Sequence, residues 1–264
     1  MNRGMIAIAG NTARDVMRQT VFYVIAGGGA ALVLCSFSFT LFAFGDESVM
    51  IRDMGISTIT MCCLALASLS AANSISGELE RGTIVMLLSK PVGKNSVVVG
   101  KYFGILVAVS VIFVLMGAIL TCSLCMQASL GGHTGFSAAF AQVGYPTVFQ
   151  LVFSFFPIAI LCAIAIAGSI FLGMVSNLCC CMAIYIFGNL TSYFQGALRM
   201  GGEWPAWCLV PFFMVFPNLE DFSAVGEKFG SLSLYQVALL MVYAVLYTTF
   251  VILLSCELFD RKEC

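Results

Sequence analysis

From Phe103 to Leu198 the chain carries no Asp, Glu, Lys or Arg. A stretch of that length without a formal charge cannot serve as a water-facing surface, because soluble domains are about a quarter charged. Over the whole chain only 9% of residues are charged and 61% are hydrophobic. Lipid must therefore be part of the solvent. Within lipid the backbone has to satisfy its own hydrogen bonds, which makes helices the natural spanning elements. The expected fold class is an all-α integral membrane protein.

Six apolar runs reach the roughly 20 residues a spanning helix needs: about 21–44, 54–76, 103–127, 147–172, 177–196 and 233–256. The first continues well past the length of a signal-peptide core, so it reads as a retained span. A seventh apolar piece, Trp207 to Pro217, is too short to cross. It reads as part of an outer re-entrant or interfacial segment over 199–230. Residues 21–264 thus form one transmembrane domain, and 264 residues leave no room for a nucleotide-binding domain.

The basic residues set the expected orientation. Arg3, Arg14 and Arg18 precede the first run, Arg81, Lys90, Lys94 and Lys101 lie between the second and third, and Arg261 and Lys262 follow the sixth. Only Arg52, Arg199 and Lys228 fall on the opposite side. Cytoplasmic loops carry the excess of Lys and Arg, so both termini are expected in the cytoplasm. Trp204 and Trp207 then sit where outer interface anchors belong. A net charge of −1 argues against a nucleic-acid partner.

Residues 1–20 have helical periodicity. Met5, Ile6, Ala9, Ala13, Val16 and Met17 fill one arc, while Asn11, Arg14, Asp15, Arg18 and Gln19 fill the other. Ile8 breaks the pattern. The segment is expected to be an amphipathic helix on the inner membrane surface, its arginines toward lipid headgroups. The simpler alternative is a basic flank to the first span.

Sites of chemistry are scarce. Ion-driven transporters usually hold acidic or basic relays inside the membrane, and the long charge-free stretch offers none. The single histidine, His133, falls in an outer loop. No Walker loop, G-x-S-x-G or H-E-x-x-H occurs. An enzyme is not expected, nor is a bound metal or cofactor. Most of the twelve cysteines lie in apolar runs and read as small apolar filler. Cys122 and Cys125 form a C-x-x-C without further ligands, a weak redox or metal signal.

The one polar, structured inner loop is 76–101, SGELERGTIVMLLSKPVGKNSVVVGK. Thr83 can cap a short helix whose apolar surface is Ile84, Met86, Leu87 and Leu88. Pro91 stops it and Gly93 allows the turn. Lys101 marks the water boundary of the third span. Gly100 and Gly104, four apart, let another helix approach closely. The plain alternative is a solvated basic loop that only sets topology.

At this loop the sequence resembles the ABC-2 type permeases of ABC transporters. The matching residues are Glu78, Glu80, Gly82, Thr83, Leu87, Leu88, Lys90, Pro91, Val92, Gly100 and Lys101. The opening IAGNTARDVMRQTVFY is similar to that family's start, with Gly10 in place of its usual arginine, and FPNLEDFS (Phe216–Ser223) resembles a motif ahead of its last span. One branch of the family is grouped with multicopper-enzyme and nitrous-oxide reductase maturation; the sequence leaves the branch open.

The resemblance implies a permease subunit of an ATP-driven exporter in the plasma membrane, the inner membrane of a bacterium. Its partners would be a cytoplasmic ABC ATPase, which binds the ATP and magnesium, and a second permease, identical or not. The loop after the second span would be the coupling element. Met86, Leu87 and Leu88 would bury in a groove of the ATPase, with Glu78, Glu80 and Arg81 pairing at its rim. Gly82, Thr83, Lys90 and Pro91 would shape that element. A non-transporting membrane scaffold or assembly factor of the same topology is the competing expectation.

Overall fold

The computed structural model describes residues 2–36, 47–80, 94–131, 140–191, 217–227 and 234–262. Every regular element among them is helical. In chain order they are α1 (Asn2–Arg18), α2 (Thr20–Ser36), α3 (Glu47–Glu80), α4 (Lys94–Gly131), α5 (Tyr145–Ser169), α6 (Met174–Asn189), α7 (Glu220–Glu227) and α8 (Leu234–Lys262). A π turn, Phe140–Gly144, leads into α5.

Each expected apolar run contains one of these helices, but the ends differ. The second and third runs extend beyond their apolar limits, to Glu47–Glu80 and Lys94–Gly131. Hydropathy marks where a helix meets lipid, whereas the backbone ladder continues into the polar flanks. Among the described residues, four helices are long and apolar enough to cross a membrane: Val49–Ile75, Asn95–Ser129, Phe140–Ser169 and Tyr235–Phe259. The pair α1–α2, bent by 64°, makes a fifth if counted as one span. By the same measure α6 falls short, since its 16 residues rise roughly 24 Å against a hydrocarbon core of about 30 Å.

Two helices organise the bundle. α3 packs against α2, α4, α5 and α6, and α5 packs against α3, α4, α6, α7 and α8. The core is therefore built from both: Ile59, Cys63, Leu64 and Ala67 on α3 are sealed by Ile158, Leu161, Cys162 and Ala165 on α5, with Ile105, Ile112 and Met116 of α4 alongside. Small residues permit this closeness. A methyl on Gly29 of α2 would stand 2.2 Å from the Met116 side chain of α4, and one on Gly55 of α3 would stand 2.4 Å from Leu120. α8 lies at the edge of the bundle, adding Val251, Cys256 and Phe259 to the core from one face. Only 11% of its apolar window is buried, against 61% for α3 and for α5, so Leu246, Phe250 and Leu253 face outward.

Asn177 is a polar side chain that ties the packing together. The turn from α5 to α6 closes when the Phe171 and Leu172 N–H groups donate to Gly168 O at 3.0 and 2.9 Å. It delivers Asn177, fully buried, between three helices. Its Nδ2 donates to Ser68 O on α3 and Ala165 O on α5, both at 3.1 Å. Gly168 makes room for it, since a Cβ there would lie 2.5 Å from Asn177 Oδ1.

The outer segment 199–230 is described over residues 217–227 only. There α7 packs on α5, a short helix the sequence reading did not anticipate. Phe222 is its anchor, 6.2 Å from the Phe156 ring and 6.4 Å from Tyr243 of α8 between centroids.

Candidate coupling site

The expected coupling loop leaves α3 and returns through α4. Glu78 and Glu80 lie in the last turn of α3. Arg81, Gly82, Thr83, Met86, Leu87, Leu88, Lys90 and Pro91 lie outside the described residues, as do Trp207 and His133. What the structure describes is the frame from which that loop hangs.

Three contacts build the frame. The first is α1 on α4, the most extensive pairing among the described helices. Two glycines make the seat. A methyl on Gly104 would lie 2.6 Å from Thr12 Cβ and 2.7 Å from Ala9 O; one on Gly100 would meet Ile8 Cγ2 at 3.0 Å and Met5 O at 3.3 Å. Thr12, Ala13 and Val16 are buried in the contact. The apolar arc drawn from the sequence is thus rotated. Ile8, which broke the pattern, faces Gly100, whereas Ile6 is 66% exposed. The groove of α4 selects the face that fits it, and that choice depends on the partner helix rather than on α1. Arg14, Asp15 and Arg18 remain exposed on the far side.

The second contact corrects the reading of Lys101 as a marker of the water boundary. Lys101 is only 5% exposed. Its Nζ turns inward and donates to Ser74 O of α3. A buried ammonium requires such acceptors, because leaving it unpaired costs several kcal/mol. The bond joins the two helices at the root of the loop, six residues before α3 ends at Glu80 and seven after α4 begins at Lys94.

The third contact carries the frame inward. Tyr102, next to Lys101 and 4% exposed, donates its phenol to Ala159 O of α5 at 3.3 Å. Consecutive residues of α4 therefore grip α3 and α5, and Gly100 and Gly104 receive α1. At the root of the loop α4 is thus in contact with α1, α3 and α5. The sequence signals that point to this clasp are faint: a lysine and a tyrosine where a polar flank turns apolar.

The C-x-x-C thiols separate, Cys122 exposed and Cys125 buried. Among the described residues no three His, Cys, Asp or Glu side chains group to hold a metal.

The sequence profile of the family described as ABC-2 family transporter protein matches residues 38–264. The chain belongs to the ABC-2 transporter family. The match takes in α3 to α8 and the whole of the 76–101 loop, while α1 and α2 precede it. No curated protein matches the chain. This ABC-2 protein is a multi-pass membrane protein carrying the family's permease domain, and the clasp of α1, α3, α4 and α5 lies inside or directly against that domain.

Proposed function

We propose that this ABC-2 protein is the permease subunit of an ATP-driven exporter. It would have six spans, α2 through α6 and α8, with both termini cytoplasmic and α1 at the inner membrane surface. A separate cytoplasmic ATPase binds ATP and magnesium, and a second permease completes the transporter. The observation that carries the reading is the root of the 76–101 loop. Two long helices end there, locked to each other by Lys101 and to α1 and α5 by adjacent residues. A loop that only set topology would gain nothing from a buried cation at its base.

In this reading the ATPase grips 78–91, using Met86, Leu87 and Leu88 as apolar anchors and Glu78, Glu80 and Arg81 at the rim. Closure of the ATPases pulls the loop, and the rigid root converts that pull into movement of α3 and α4 against α5. The charge-free stretch from Phe103 to Leu198 suits lipid-like or amphipathic cargo better than small ions. The host membrane would be the bacterial inner membrane.

The test is reconstitution with the ATPase in vesicles. Glu80→Lys should insert normally yet lose permease-dependent stimulation of ATP hydrolysis. Transport and stimulation at wild-type level in that variant would refute the coupling role. Failure of any ATPase to copurify with the wild-type chain would favour a scaffold.

A further inference from the structure

At the end of the bundle opposite the loop root, a small cavity of about 50 Å³ lies where α3, α5, α6 and α7 meet. Its walls are mostly polar: Ser57 and Thr60 of α3, Ser154 of α5, Tyr185 and Asn189 of α6, and Ser223 of α7. Ser57 and Ser223 are exposed at its mouth, whereas Thr60 and Ser154 are buried and need partners.

The hydrogen bonds already made fix what the two buried hydroxyls can do. Thr60 Oγ1 donates to Ile56 O at 2.7 Å, and Ser154 Oγ donates to Gln150 O at 2.9 Å. Both hydroxyls, 5% and 6% exposed, have committed their protons to their own helices and can only accept from the cavity. Pro157 also lines it. Having no N–H, it deprives the Phe153 carbonyl one turn earlier of its helical donor. The site therefore offers acceptors, at Thr60 and Ser154, beside groups that can also donate: the Tyr185 phenol, the Asn189 amide and the Ser57 and Ser223 hydroxyls.

We propose that this cavity is a binding site for ordered water, which joins α7 to the helices beneath it. A water needs roughly 10–15 Å³ of such volume and two to four polar partners, so about three fit. Each can donate to the Thr60 and Ser154 oxygens and accept from the Tyr185, Asn189 and Ser223 side chains of the lining. Apolar cavities stay dry, whereas polar ones of this size fill. The water also adds a polar attachment to α7, which Phe222 anchors by packing. The direct hydrogen bonds at its entry are two long ones, Leu219 N–H to Gly188 O at 3.3 Å and Asn218 N–H to Tyr243 Oη at 3.2 Å. Ser223, on the cavity wall, gives α7 a third attachment through the water.

X-ray radiolytic footprinting of the intact protein in lipid nanodiscs tests this. Radicals formed from bound water oxidise the side chains that touch it. Pro157 and Leu219, both buried, should be oxidised at least about fivefold faster than the equally buried Ile105 and Ile112, which line no polar space. Thr60→Val with Ser154→Ala removes two acceptors with little change of shape and should abolish the difference. Ser223→Ala, at an exposed position of α7, serves if the double variant fails to fold, and should lower the Leu219 rate. Pro157 and Leu219 rates no higher than those of Ile105 would overturn the proposal. So would fast labelling that persists in the variants, which would mean that bulk water enters.

Discussion

Replacing Gly104 by alanine isolates the seat of α1. Two effects compete. Alanine is the better helix former, by about 0.5–1 kcal/mol. The new methyl, however, would stand 2.6 Å from Thr12 Cβ and 2.7 Å from Ala9 O. Ordinary contact begins at 3.4 Å, so α1 must recede by about 0.8 Å. Neither obstructing atom is the tip of a flexible chain: one is backbone, the other is fixed to it. Overpacking of this kind costs roughly 1–3 kcal/mol, which outweighs the helix gain and leaves a net loss on the order of 1–2 kcal/mol. Gly100→Ala is the control. Its obstructions, Ile8 Cγ2 at 3.0 Å, Ile8 Cβ at 3.1 Å and Met5 O at 3.3 Å, require a shift of only a few tenths of an ångström, so the net effect should lie within about 1 kcal/mol of zero. The assay is hydrogen–deuterium exchange of the α1 amides, with the thermal midpoint in detergent alongside. Gly104→Ala should speed α1 exchange by roughly five- to thirtyfold, while Gly100→Ala leaves it nearly unchanged. Equal behaviour of the two variants, or wild-type protection in Gly104→Ala, would refute the argument that the glycines are unequal because of what faces them.

Three further outcomes follow from the described geometry. Asn177→Ala should cost only about 1–2 kcal/mol, because its two bonds go to carbonyls that also serve their own helices and membrane-buried bonds average about 0.6 kcal/mol; Asn177→Asp, which faces a carboxylate toward Ser68 O and Ala165 O, should cost about 3–5 kcal/mol or prevent folding, as read by thermal unfolding. Lys101→Met should leave the thermal midpoint near wild type, since removing a buried charge for an apolar isostere is often neutral, yet it should lower permease-stimulated ATP hydrolysis several-fold by freeing the loop root. Burial, and then the neighbouring Glu220, push the Asp221 carboxyl above its ordinary range. A raised folded-state value means that the charged form weakens α7 docking: the cost is absent below the ordinary carboxylate pKa and complete above the raised one. Asp221→Asn keeps an oxygen for the Asn218 Nδ2 donor, which bonds Asp221 Oδ2 at 2.7 Å. It should slow exchange of the α7 amides at neutral pH and flatten their dependence on pH in the acid range.

Hydropathy located every apolar helix because burial in lipid is a property of the segment itself. The run over 54–76 already contained the middle of α3, and the run over 177–196 opened on Asn177, the residue that ties three helices. Other features were illegible for a stated reason. The arc of α1 held Ala13 and Val16, which are buried on α4, but it took Ile6 in place of Ile8, since the two are equally apolar and only the Gly100 groove distinguishes them. Lys101 reads as a flanking charge until Ser74 of another helix is brought beside it. The helix Glu220–Glu227 carries too weak a pattern over eight residues, and its stability comes from Phe222 packing between Phe156 and Tyr243.

The amino-acid sequence by itself determined the solvent, the helical class and the approximate positions of the described apolar helices, because hydrophobicity and backbone satisfaction act locally along the chain. The tertiary structure alone decided which helices touch, which face of α1 docks, and which buried polar groups become clasps. Those outcomes depend on distances between residues far apart in sequence, such as Lys101 with Ser74 and Asn177 with Ser68, and no one-dimensional pattern encodes such a distance.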